Sequence, residues 1–537
     1  MKFTNNYPVL IIILFMNITF FSCKDEWNDH YSATSLQKSD MTLYQYIHSR
    51  PDFARFDSML HRTGYDSILN QSQTFTVWVP LDSTLVNVNL NDSVAIRRIV
   101  ENHITKYSHP TVEIHNANKV MTMINKKLLT FGMTNGKLSL DGNIIVEPDH
   151  AMKNGIIHVI NKFVPYKTNF WEFLNEATGI DEFKSYINSL TTKELNTNLS
   201  YNNGVFVDSV FKYTNKVTDN LAALSNEDSI YTALFPTNTA WNEAYSRISP
   251  YFNSLPDKKL PNDSGAIYQD KITKWTLVRD VFFRGNLRVP VGVPSLLSTY
   301  GTEFVSPDRL FSGSQSHEMS NGTCYKTDLL NYTATETWNK KIVIEAESSY
   351  YGRTFSNYAG SNVSSIGTGL NISDGYYLNM TPTTSSSLST LFVQFPMPNT
   401  LSTKYNLYCV FVPTVITDTL DHRPYKVKFY INYVDNKNLS GTLVPSGFPV
   451  VKATVDVNNT LQLPSKTSNT FITDGKTVQK MLVVKNLSLP FCNIFQNSKS
   501  PINFSLIVQN ATGTTKAETD NYNRNVRIDC IILEPVQ

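Results

Sequence analysis

The segment Thr74-Phe75-Thr76-Val77-Trp78-Val79 is apolar or β-branched at every position and stops at Pro80, which cannot donate to a strand ladder. A run with no polar alternation reads as a buried strand. A core must therefore be built around it. Asp82-Ser83-Thr84 follows, with side chains suited to capping a short helix. A second strand, Ile156-Ile157-His158-Val159-Ile160, opens from the turn Asn154-Gly155, and two hairpin-like strands flank Thr134-Asn135-Gly136.

Helical spacing surrounds these strands. From Thr42 through Leu43, Ile47, Phe53, Phe56, Met59 and Leu60, apolar residues recur at intervals of three and four, predicting one helical stretch that Thr63-Gly64 ends. Val94 to Ile104 predicts a second helix. Together these segments make a compact α+β unit closing near Pro165.

Thr74 to Leu85 resembles the first signature of fasciclin domains, and Asn154 to Pro165 resembles the second. Glu101-Asn102-His103-Ile104 is similar to the histidine-bearing helix between them. The resemblance covers residues 38–168 and implies an adhesion module without a cofactor, in which His103 and His158 are structural. A weaker copy follows over residues 169–335. Asn169 to Leu174 repeats the opening helix, Tyr231 to Trp241 is close to the first signature, and Trp275 to Phe283 is expected to be the middle helix. Its second signature, Ser320-Asn321-Gly322-Thr323-Cys324-Tyr325-Lys326, lacks the histidine, and an insertion is expected around residues 190–225.

After Trp338 the pattern changes to short strands punctuated by Ser, Asn and Gly, which predicts a β-sandwich or jelly roll over residues 340–537. Ile344-Glu345-Ala346-Glu347 and Arg527 to Leu533 are similar to the first and last strands of galactose-binding-like carbohydrate-binding modules. The expected fold class is thus multidomain, two α+β fasciclin-like domains followed by an all-β galactose-binding-like sandwich. Glu345 and Glu347, two apart on one strand, share a face. With Asp529 they make a hard oxygen set suited to a structural calcium ion, as the resembling modules often carry, against the plainer reading of exposed carboxylates on an edge strand. Tyr350, Tyr351, Phe355, Tyr358, Tyr376 and Tyr377 crowd the same region, either as a sugar-stacking surface or as core.

The N-terminus reads as an address. Lys2 precedes an apolar stretch from Pro8 to Phe21 that ends at Ser22-Cys23, too short to span a bilayer. A small residue before a cysteine is the lipobox of bacterial lipoproteins, although Phe20 stands where Leu or Val is usual. Residues 1–22 are then a signal peptide, Cys23 the lipid attachment point and 23–37 a tether. Lys24-Asp25-Glu26 resembles an acidic signal for export to the surface of a Gram-negative outer membrane.

A formal charge of +2 and a charged fraction of 17% leave no broad basic field for nucleic acid. Cys324, Cys409, Cys492 and Cys530 lie apart from any CxxC pair; three of them sit in apolar runs, so buried thiols are expected over disulfides, whose connectivity spacing alone does not fix. HExxH, GxSxG, GxxxxGK[ST] and GxGxxG motifs are all missing, which removes the usual warrants for zinc, hydrolase and nucleotide chemistry. The expectation is a non-catalytic surface lipoprotein acting in adhesion or ligand binding, its partner a glycan or a surface protein. The alternatives are a glycan-capture accessory of a polysaccharide-uptake system and, third, a glycan-active enzyme whose paired carboxylates sequence does not reveal.

Overall fold

The computed structural model describes residues 38–114, 118–256, 264–287, 292–356, 362–365, 371–382, 391–434, 450–462, 469–494 and 504–536. The signal peptide, Cys23, the tether and Tyr358 lie outside the described residues. The chain divides into two compact units. The first comprises Met1–Phe173, Leu224–Ile230 and Glu318–Gly322, and the second Leu174–Ala223, Tyr231–His317 and Thr323–Gln537.

The first unit is organised by a seven-stranded sheet. Its strands are β1 (Phe75–Pro80), β2 (Ile104–Lys106), β3 (Lys119–Thr122), β4 (Leu128–Thr134), β5 (Lys137–Leu140), β6 (Asn143–Met152) and β7 (Gly155–Ile160), in the order β2-β1-β7-β6-β5-β4-β3. β1 and β7, the two apolar runs, lie side by side in parallel, with Val77 opposite Ile157. Parallel strands covered on both faces explain runs without alternation. Phe75, Val77 and Val79 enter the core formed with the helices, while Trp78 turns to a second core with Phe131, Leu140 and Ile160.

The single helical stretch expected from Thr42 breaks in two, α1 (Leu43–Ser49) and α2 (Ala54–Thr63), separated by a 3-10 turn at Pro51–Phe53. Pro51 forces the residue before it out of the helical region, and Arg50 is accordingly extended at φ −101 and ψ 115. Thr42 caps α1 in a capping box with Gln45. Gly64 ends α2 in the left-handed conformation at φ 78, where its missing Cβ removes the strain. The helix expected to run to Ile104 stops at Glu101, because Ile104 pairs with Val77 as the start of β2.

His103 and His158 are fully buried, and each has both ring nitrogens engaged. His103 Nδ1 lies 2.7 Å from the Ile99 carbonyl, and its Nε2 accepts from the Val164 amide at 2.9 Å. His158 Nε2 lies 3.0 Å from the His109 carbonyl, and its Nδ1 accepts from the Asp149 amide at 3.1 Å. One donor and one acceptor per ring is the neutral tautomer.

In the second unit, the helix Asn238–Ile248 is capped by Thr237, and the strand Tyr231–Pro236 pairs antiparallel with Phe282–Arg284. The helix expected from Trp275 to Phe283 instead runs from Ser264 to Val278, and Phe282 has become strand. The last third forms two antiparallel sheets. One orders Asn362–Ser365, Tyr376–Met380, Val526–Pro535, Lys404–Phe411 and Gln479–Ser488, with Ile342–Glu345 also on Val526–Pro535. The other centres on Lys426–Val434, which lies against Phe504–Asn510 and Val450–Val455. Period-two burial along Lys426–Val434 turns Val427, Phe429, Ile431 and Tyr433 inward, and Phe411 of the first sheet meets Phe429 at 6.3 Å between ring centroids.

Burial pushes His103 and His158 down to about 4, from an ordinary value of 6.5. Between those values the unfolded chain binds protons that the folded one refuses, so stability falls as pH drops through that window. For His103 alone the loss is on the order of 3 kcal/mol by pH 4. Denaturation midpoints at pH 7 and pH 5 should fall less steeply in His103→Gln than in the parent; equal slopes would contradict this.

Candidate functional site

A hairpin turn governs the first unit. Asn154 is buried, and its Oδ1 accepts from the Leu43 amide at the start of α1 at 2.8 Å. Its Nδ2 donates to the Leu69 and Gln71 carbonyls at 2.8 and 2.6 Å. One amide thus pins the first helix, the segment leading to β1 and the β6–β7 turn. Gly155 next to it approaches the Phe75 carbonyl so closely that a Cβ would lie 1.9 Å from the oxygen.

The same arrangement recurs at Asn321. Its Oδ1 accepts from the Phe170 amide at 3.1 Å, at the start of the helix Phe170–Glu176. Its Nδ2 donates to the Leu224 and Asn226 carbonyls at 3.0 and 3.1 Å. In both cases a buried Asn followed by Gly caps a helix start and holds two carbonyls two residues apart.

Lys127 is a buried charge of this unit, its side chain 3% exposed. Its Nζ donates to Glu227 at 2.7 Å, Glu172 at 2.9 Å and Ser320 Oγ at 3.0 Å. Glu172 also accepts from Tyr166 Oη at 2.8 Å, and Asn169 Nδ2 donates to Glu227 at 2.9 Å. This network is a structural fastening, in which Glu227 Oε2 alone is left buried without a hydrogen-bond partner.

Acidic groups gather in the second unit. Ile342–Glu345 pairs with the last strand so that Glu345 stands opposite Cys530, and the Ala346 amide donates to the Asp529 carbonyl at 2.9 Å. Asp529 is 2% exposed; the Ser373 amide donates to its two oxygens at 3.0 and 3.2 Å, and Ser373 Oγ donates to Glu345 at 2.6 Å. Donor atoms of Glu345, Asp529 and Cys530 fall within 4.8 Å of one another. Glu347 stands outside that group, yet Oε2 of Glu345 and Oε2 of Glu347 are each buried without a hydrogen-bond partner.

Burial, then the charges of Glu345 and Glu347, push the Asp529 carboxyl up to about 7. Burial likewise raises Glu345 and Glu347. The Cys530 thiol is raised by burial and by the same carboxylates, which keeps it a thiol, 3.7 Å from Asp529 Oδ2. Glu345 and Asp529 offer the group hard carboxylate oxygens of the kind calcium takes, whereas its third donor, the Cys530 thiol, is soft.

The aromatic residues of this region split. Tyr377 is core, at 2% exposed, whereas Tyr350, Phe355 and Tyr376 are exposed, and Tyr350 meets Tyr351 edge to face at 4.9 Å. Cys324, Cys409, Cys492 and Cys530 are free and buried. Sequence reasoning missed two features. One is Lys127. The other is an open cleft of about 580 Å³ bordered by Asp418, Asp421, His422 and Asp520. Asp421 there holds Arg423 through two contacts of 2.8 Å.

Lys127→Ala should destabilise the chain by about 2–4 kcal/mol, since it empties a buried site and leaves the part-buried Glu227 and Glu172 without their cation. Truncating Lys480, which pairs with Glu534 at the surface, should cost about 0–1 kcal/mol. Urea denaturation of both variants checks the contrast, and equal losses would refute it.

No curated protein matches the chain. Among solved structures it is similar to "a FAS1 Domain Pair from the Insect Cell Adhesion Molecule Fasciclin I", at 13% identity over 53% of this chain and 98% of that one, with a TM-score of 0.21. Residues 51–165 match the family model described as the Fasciclin domain. That stretch holds β1, β7 and both structural histidines, and there the chain carries a fasciclin domain.

Proposed function

We propose that this chain is a non-catalytic lipoprotein, acylated at Cys23 and displayed on the outer membrane of a Gram-negative bacterium, where it acts in adhesion or ligand binding. The fasciclin domain at residues 51–165 carries the reading. In it, residues 38–168 and 169–335 are two fasciclin-like domains and residues 340–537 a galactose-binding-like jelly roll. The recurrence of the Asn154 arrangement at Asn321 supports the second copy, because the two nodes bond equivalent backbone groups in the same order. Paired antiparallel sheets with period-two burial support the jelly roll.

The second reading is a glycan-binding accessory of a surface polysaccharide-uptake system. Exposed Tyr350 and Tyr376 favour it, as rings open to solvent stack on sugars. A glycan array probed with the chain from Asp25 onward separates glycan from protein partners.

Cys23→Ser should move the protein from the membrane to the soluble fraction, since a multiply acylated cysteine supplies about 0.8 kcal/mol per buried methylene. Continued sedimentation with membranes would remove the anchor. Calcium at about 100 times its dissociation constant should stabilise the C-terminal domain by about 3 kcal/mol. Asp529→Asn should abolish that gain. A melting temperature indifferent to millimolar calcium would rule the ion out.

A further inference from the structure

The segment expected as an insertion is a projecting β-ribbon. Thr191–Leu195 pairs antiparallel with Phe211–Asn215, with Tyr213 opposite Lys193 and Phe211 opposite Leu195. Alternation sorts the two faces. One carries Leu195, Phe211, Tyr213 and Lys193, whose ammonium lies 3.9 Å from the Phe211 ring centroid. The other carries Glu194 opposite Lys212, and Thr192 hydrogen-bonded to Thr214 at 2.6 Å.

Beyond the ribbon lies its tip. Residues 195–207 contain no charged side chain. Leu195, Leu199, Tyr201, Val205, Phe206 and Val207 are nevertheless exposed, Val205 to 67% and Val207 to 65%. Such a cluster on a protrusion is unusual for a surface that meets only water. The tip's backbone is largely satisfied from within. Val205 pairs with Asn202 across a turn at Asn203 and Gly204, the Val207 amide donates to the Ser200 carbonyl at 2.8 Å, and the Asn196 amide donates to the Val210 carbonyl at 2.7 Å.

Those properties match one medium. An uncharged tip whose backbone is largely paired internally enters the interfacial region of a bilayer without desolvating a charge and with few backbone groups orphaned. The apolar face has a lysine and no carboxylate at its base, where anionic headgroups would lie, and Tyr and Phe are residues of that interface. Glu194 is held on the opposite face, and the exposed Asp208 bounds the uncharged tip directly after Val207.

We propose that residues 195–207 insert into the interfacial region of an anionic lipid membrane, with Lys193 meeting the headgroups. This contact is independent of an acyl chain at Cys23. The test uses the chain from Asp25 to Gln537, which keeps every described residue and lacks the lipidated cysteine. It should co-sediment with phosphatidylethanolamine/phosphatidylglycerol vesicles, and less with pure phosphatidylcholine. Val205→Asp with Val207→Asp should lower the partition coefficient about tenfold or more at an unchanged melting temperature. Leu199→Asp repeats the test from a second backbone position. Absence of vesicle binding by the parent, or binding undiminished in both variants, would overturn the proposal. So would a dimer of the parent that both variants dissolve without vesicle binding, which would give the tip to a second copy of the chain.

Discussion

A carboxamide buried at a hairpin turn is the constraint on which the first unit depends. Asn154 satisfies the amide that begins α1 and two carbonyls ahead of β1, and its own carbonyl accepts from Phe75. Each bond replaces one that water would supply to an exposed chain, and losing the side chain would leave three backbone groups unpaired at once, two of them buried. Because Gly155 lets β7 approach Phe75, the parallel β1–β7 pair forms directly beside this node. The node thereby sets the register of the two strands around which both cores are packed.

Much of this was legible in the residues themselves. The apolar runs of β1 and β7, the turns at Asn135-Gly136 and Asn154-Gly155, and the left-handed stop at Gly64 follow from local chemistry, and the structure has them in place. Boundaries were less legible where tertiary pairing overrode helical periodicity, as at Ile104 and Phe282, both drawn into strands. Pro51 marks the break, and helical spacing on either side of it, Leu43–Ile47 and Phe53–Phe56, reads as one continuous helix only if the proline is passed over.

Long-range chemistry was hidden for a different reason. Lys127 finds its partners 45, 100 and 193 residues away. No window of sequence carries that information. Glu345 and Asp529 were brought together in the reading only through resemblance to other strands; Cys530 and Ser373, which complete their surroundings, went unnoticed. The ribbon was anticipated as an insertion, whereas its exposure was not, because apolar residues on alternate positions look the same whether or not another layer covers them.

Two buried charge clusters in the chain show how the same physical cost is met in opposite ways. At Lys127 one cation faces two carboxylates and a hydroxyl of opposite or neutral charge, so most of the desolvation is offset although Glu227 Oε2 has no donor, and the group reads as a fastening. At Asp529 the charges acting on the buried carboxyl are those of Glu345 and Glu347, of its own sign, and the hydrogen bonds from Ser373 offset only part of the cost. Arg353 acts on Glu347, as the least of its influences. Protonation of Asp529 near neutral pH relieves part of that repulsion, and a divalent cation would relieve it more completely, since two oxygens there lack any donor. Like charges that repel within a cluster are what uptake of a proton relieves, and that separates the acidic cluster from the fastening at Lys127.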